Sequence, residues 1–95
     1  MDSVRIAMLG GGFVANFYMQ GLQDVGGHEV VVVVSQREDT AKSLAQRWHI
    51  PETSDSFDLT IARDDIDLYL IALPNFLHRD IAVALARAGR NQVCT

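Results

Sequence analysis

Five consecutive valines, Val30 to Val34, stand between His28-Glu29 and Ser35 with no polar residue among them. A strand with one wet face alternates apolar and polar residues, so an unbroken run reads as a strand covered on both faces, as in the centre of a parallel sheet. Parallel neighbours need crossover connections, usually helical, and these put helices on both sides of the sheet.

The remaining segments supply those partners. The run Val4-Arg5-Ile6-Ala7-Met8-Leu9 stops at Gly10-Gly11-Gly12, after which Val14, Tyr18 and Leu22 keep helical spacing to about Asp24, where Gly26-Gly27 ends the helix. After the valines, Ser35-Gln36-Arg37-Glu38 has the capping-box form, with Ala41, Leu44, Ala45 and Trp48 on one face of the helix and Pro51 as its stop. A short strand over Glu52 to Ser54 and a short helix carrying Phe57 and Ile61 follow. Asp67 to Leu73 is a further strand. Asn75 then caps a helix with His78, Ile81, Ala82 and Leu85 in a stripe up to Gly89, and Asn91 to Thr95 begins a last strand.

This alternation predicts a three-layer α/β domain of the Rossmann type, with a parallel sheet of strand order 3-2-1-4-5. Ninety-five residues make one domain. The order places the Gly10 turn and the Pro74-Asn75 turn side by side at the carboxyl edge, where the strand order reverses and ligands bind.

The glycines have a chemical reading at that edge. Gly10 lets the chain turn sharply off the strand, and Gly12, lacking Cβ, lets a pyrophosphate reach backbone amides at a helix N-terminus. Ala15 takes the third place of G-x-G-x-x-[GA]. The residue ending the second strand meets the adenosine ribose; an acid there suits NAD, whereas here Ser35 and Arg37 suit a 2′-phosphate and favour NADP over NAD. Pro74-Asn75, and His78 one turn on, fall on the nicotinamide side. A plainer reading stays open for each: a turn for the glycines, a cap for Ser35 and Asn75, a solvated position for Arg37, where the neighbouring acids Glu38 and Asp39 count against a 2′-phosphate, and a packed ring for His78.

Composition removes other classes. The net charge is -4 and Lys42 is the single lysine, which argues against nucleic acid as a partner. No apolar stretch approaches the roughly 20 residues of a membrane span, Asp2 stands where a secretory signal wants basic residues, and the expected compartment is the cytoplasm. Cys94 is the one cysteine, and the histidines at 28, 49 and 78 have no metal-ligand spacing, so no metal is expected. No catalytic residue is assigned.

Three stretches together resemble the nucleotide-binding half of the glucose-fructose oxidoreductase, inositol dehydrogenase and MocA-like oxidoreductases. They are the glycine turn with Phe13-Val14-Ala15, the Val-Val-Ser-x-Arg strand end, and Ala72-Leu73-Pro74-Asn75-x-x-His78 running into Ala84-Leu85-x-x-Ala88-Gly89-Arg90. The resemblance implies NAD or NADP on this domain and hydride transfer to or from a sugar, inositol or related polyol. It gives Gly10, Gly12, Phe13 and Val14 to the pyrophosphate, Ser35 and Arg37 to the adenosine ribose, and Leu73, Pro74, Asn75 and His78 to the nicotinamide side. The family continues past the fifth strand into a Glu-Lys-Pro motif with a catalytic lysine, whereas this sequence ends at Cys94-Thr95. The expectation is therefore a truncated cofactor domain, inactive by itself. The resemblance also implies a substrate domain outside this sequence and a full-length protein that is a homo-oligomer. The other reading is a dinucleotide-sensing or scaffolding module without chemistry.

Overall fold

A computed structural model describes residues 4–23, 26–73 and 75–94, with the backbone alone at 13, 14, 38, 75–78, 93 and 94. Strands β1 (Val4–Leu9), β2 (His28–Val34), β3 (Glu52–Ser54), β4 (Leu68–Ile71) and β5 (Gln92–Cys94) alternate with helices α1 (Phe13–Leu22), α2 (Glu38–Trp48), α3 (Phe57–Ile61) and α4 (Asn75–Arg87). All pairings are parallel and the order is β3-β2-β1-β4-β5, as the alternation predicts.

The valines are buried as their pattern requires, but they do not alternate evenly. Val30 and Val33 face one helical layer, whereas Val31, Val32 and Val34 face the other. A register shift explains this. Ile6 pairs with Val30 and Ala7 with Val32, leaving Val31 as the extra residue of a bulge, so two neighbouring side chains fall on one face.

The first layer packs Ala15 and Met19 of α1 and Ala41, Leu44 and Ala45 of α2 on Ile6, Met8 and Leu70. The second packs Ile61 of α3 and Leu85 of α4 on Leu9, Tyr69 and Ile71. Each fully buried Val or Leu of these layers contributes about 1.5–3 kcal/mol over leaving it exposed.

Several boundaries differ from the sequence reading. Helix α1 closes at Leu22 with Gln23 as its C-cap, ahead of the Gly26-Gly27 pair. The N-cap of α2 is Arg37 rather than Ser35, because the Ser35 hydroxyl accepts the Arg37 N–H at 3.2 Å in a local turn that delays the helix by two residues. That helix ends at His49, in the left-handed conformation (φ 57, ψ 42), before Pro51 is reached. Helix α4 starts at Asn75 itself.

Candidate functional site

The carboxyl ends of β1, β2 and β4 meet at Gly10. Its N–H donates to the Val34 carbonyl at 2.7 Å, and the Ala72 N–H donates to the Leu9 carbonyl at 2.8 Å. Gly10 has φ +108, and a Cβ built on it lies 2.3 Å from the Ala72 carbonyl oxygen. Glycine is required twice over, by conformation and by the close passage of the chain after β4. Leu73 lies beside it, with Cδ2 3.3 Å from the same Cβ position.

Gly12 is different. It is the N-cap of α1 with φ -87 and ψ -155, backbone that other residues adopt, and nothing lies within 4 Å of a Cβ built there. No side chain caps α1. The amide groups of its first turn, including those of Phe13 and Val14, thus receive no side-chain cap, and the positive end of the helix dipole lies at this terminus. A helix end of this kind favours negative charge.

Gly11, between them, sits against α2: a Cβ on it would lie 2.9 Å from Thr40 Cγ2 and 3.2 Å from the Thr40 carbonyl oxygen. The glycine turn is thereby packed directly on the first turn of the second helix. A cleft of about 470 Å³ opens beside it, lined by Gly11, Asn16, Asp39, Thr40, Ser43, Leu44 and Arg47. Asn16 braces its floor, where its side-chain amide accepts the Trp48 indole N–H at 3.0 Å and donates to the Gly12 carbonyl at 3.4 Å.

Ser35 follows β2, and its backbone N–H donates to the Ser54 carbonyl at 3.0 Å, which ties this corner to β3. Arg37 is 79% exposed at the side chain, and its Nη2 lies 3.9 Å from Asp39 Oδ2. Helix α2, like α1, has no side-chain cap. Gly10, Gly12, Ser35, Arg37, Leu73 and the backbones of Phe13 and Val14 thus occupy the one edge that the sequence assigns them. Asn75 and His78 fall in the first turn of α4 by backbone, their side chains lying outside the described residues, as does Pro74. Thr40 and Asn16 escape a reading of the sequence, whereas Asp39 stands out there, with Glu38, as an acid that weakens the case for a 2′-phosphate at Arg37. Asn16 and Thr40 carried a signal in their spacing, four residues from Gly12 and five from Ser35, at the fourth position of α1 and the third of α2.

Among the described residues no group of three His, Cys, Asp or Glu side chains could hold a metal, and no helix is long and apolar enough to cross a membrane.

Residues 4–95 match the GFO_IDH_MocA family model, described as an oxidoreductase family with an NAD-binding Rossmann fold. The chain belongs to the Gfo/Idh/MocA oxidoreductase family. It is 27% identical over 88 residues to 4-carboxy-2-hydroxymuconate-6-semialdehyde dehydrogenase of Sphingobium sp., a match covering 93% of this chain and 28% of that protein. It is 34% identical over 67 residues to D-xylose 1-dehydrogenase (NADP(+)) 2 of Haloferax volcanii, covering 70% and 21%. Among solved structures, GenD2 from gentamicin A biosynthesis in complex with NAD superposes with a TM-score of 0.89 at 26% identity, covering 99% of this chain and 27% of that one. Levoglucosan dehydrogenase in complex with NADH and L-sorbose shares the fold, with a TM-score of 0.90 at 24% identity. This Gfo/Idh/MocA chain spans about a quarter of the length of these relatives.

Proposed function

We propose that the chain is the cofactor-binding domain of an NAD(P)-dependent oxidoreductase acting on a sugar, inositol or related polyol, with NADP preferred over NAD. The observation that carries the reading is the contrast at the glycine turn: Gly10 is filled by protein, whereas Gly12 faces empty space at an uncapped helix N-terminus. The relatives support it by their chemistry, since an NADP(+)-dependent xylose dehydrogenase and a protein crystallised with NAD share this domain.

In this reading the backbone amides after Gly12, at Phe13 and Val14, hold the pyrophosphate, and Gly10 fixes the turn that aims them. Ser35 and Arg37 take the adenosine ribose end, where a guanidinium without a strand-end acid suits a 2′-phosphate. Leu73, Pro74, Asn75 and His78 border the nicotinamide. The nicotinamide ring, when bound, supplies the hydride acceptor or donor. The substrate and the groups that move its proton belong to a further domain, and the whole protein is a homo-oligomer.

Calorimetric titration of the chain with NAD and NADP in parallel tests this. Both bind, NADP more tightly, and Arg37→Ala weakens NADP by about 1.5–3 kcal/mol, roughly tenfold to a hundredfold, while NAD stays nearly unchanged. Absence of binding by either cofactor defeats the reading, and equal losses in Arg37→Ala defeat the assignment of Arg37 to the 2′-phosphate.

A further inference from the structure

Resting on the assignment of Arg37 to the 2′-phosphate, we propose that Asp39 sets how strongly the chain prefers NADP over NAD, by opposing the 2′-phosphate at Arg37. Two observations place it there. Its carboxylate lies 3.9 Å from Arg37 Nη2, with both side chains 79% exposed. It also lines the cleft that Gly11 and Thr40 line, at the point where the glycine turn meets α2.

A phosphate that pairs with Arg37 has to share the guanidinium with this carboxylate or displace it. The phosphate carries up to two negative charges, so it is repelled as well as attracted at this corner. The 2′-hydroxyl of NAD is neutral and meets no such opposition. The other charged group lining the cleft, Arg47, sits two turns further along α2 with its guanidinium 5.5 Å from the centre of the Trp48 ring. Asp39 in the first turn of α2 also occupies the dipole's favourable end for an anion, the same place the phosphate approaches. A single charge acting across several ångströms of solvent changes the affinity of a dianion by roughly threefold to tenfold at physiological salt.

The experiment is a charge series at one position, Asp39→Asn and Asp39→Lys beside the wild type. Each is titrated with NADP and NAD at low and high salt, with folding checked by circular dichroism. Asp58→Asn, in the first turn of α3 on the opposite layer, controls for net charge. NADP affinity is expected to rise in two steps of roughly threefold to tenfold each, to shrink in spacing at high salt, and to leave NAD within twofold and Asp58→Asn flat. A flat NADP series overturns the proposal, and so does a loss of NAD affinity in Asp39→Asn, which would make Asp39 a ribose ligand. Equal gains in Asp58→Asn overturn it too. Failure of the underlying reading looks different: Arg37→Ala then loses no NADP affinity selectively, or the wild type binds neither cofactor and both ideas fall.

Discussion

At the scale of single residues, the three glycines answer to three different demands. Gly10 is held by φ +108 and by the Ala72 carbonyl, so Gly10→Ala strains the backbone and drives a methyl into main-chain atoms that cannot move aside. That substitution is expected to destabilise the fold by roughly 2–5 kcal/mol. Gly12→Val meets neither obstacle and should cost no more than about 1 kcal/mol, the difference between a better and a poorer N-cap. Its effect falls on binding, because the new methyls fill the space beside the α1 amides; NAD and NADP affinity should drop by about a hundredfold, or about 3 kcal/mol. Thermal melts and titrations of both variants check the contrast. A Gly12→Val chain that binds as the wild type does would reduce the whole turn to a structural corner. The sequence displayed all three glycines but not this division, which depends on what passes beside each one in space.

Helix α2 shows what local pattern reveals and what it hides at the scale of elements. Its apolar face was legible, and Ala41, Leu44 and Ala45 are buried as the spacing requires. Its ends were not. Ser35 satisfies its hydroxyl within the turn instead of capping the helix, and the stop comes from His49, whose left-handed backbone turns the Ile50 N–H back to donate to the Ala45 carbonyl at 2.9 Å. A non-glycine residue in that conformation is costly, by about 1–2 kcal/mol, and glycine is the usual occupant. His49→Gly removes the strain but adds freedom to the unfolded chain, worth about 0.4–1 kcal/mol. The balance predicts a gain in stability of about 0.5–1 kcal/mol, read as a higher denaturant midpoint with an unchanged slope. A fall in the midpoint would mean that the exposed imidazole makes a contribution beyond the backbone. Trp48 was legible as an apolar position, yet its hydrogen bond to Asn16 was hidden, since it joins residues 32 apart.

The whole molecule divides its work between the two edges of the sheet. The carboxyl edge carries the open glycine turn and uncapped helices, while the amino edge is tied by charge: Arg63 reaches Asp65 with Nε at 2.8 Å and Nη2 at 2.7 Å, and Glu52 with Nη2 at 3.1 Å. Arg5, at the start of β1, donates to the Asp65 carbonyl and carboxylate and so links the loop before β4 to the strand beside it. None of this was legible in the sequence, where Arg63 and Asp65 look like surface loop residues, whereas the strand order was legible because alternation and crossover handedness leave few topologies. The Arg63 guanidinium holds the Asp65 carboxyl well below the usual carboxylate range. The folded chain therefore binds this proton more weakly than the unfolded one. The stabilisation is whole above the unfolded pKa near ~3.9 and drains away as pH falls below it. The Asp65 and Arg63 side chains are 45% and 25% exposed, so solvent reduces its worth to about 0.5–1.5 kcal/mol. Asp65→Asn should lose that much at pH 7 and show a shallower decline in stability from pH 5 towards pH 2 than the wild type, measured by urea unfolding across the range. Because the network lies at the edge opposite the glycine turn, the same variant should bind NAD and NADP as tightly as the wild type wherever it is folded. A matched loss of affinity would show that the two edges are coupled through the sheet.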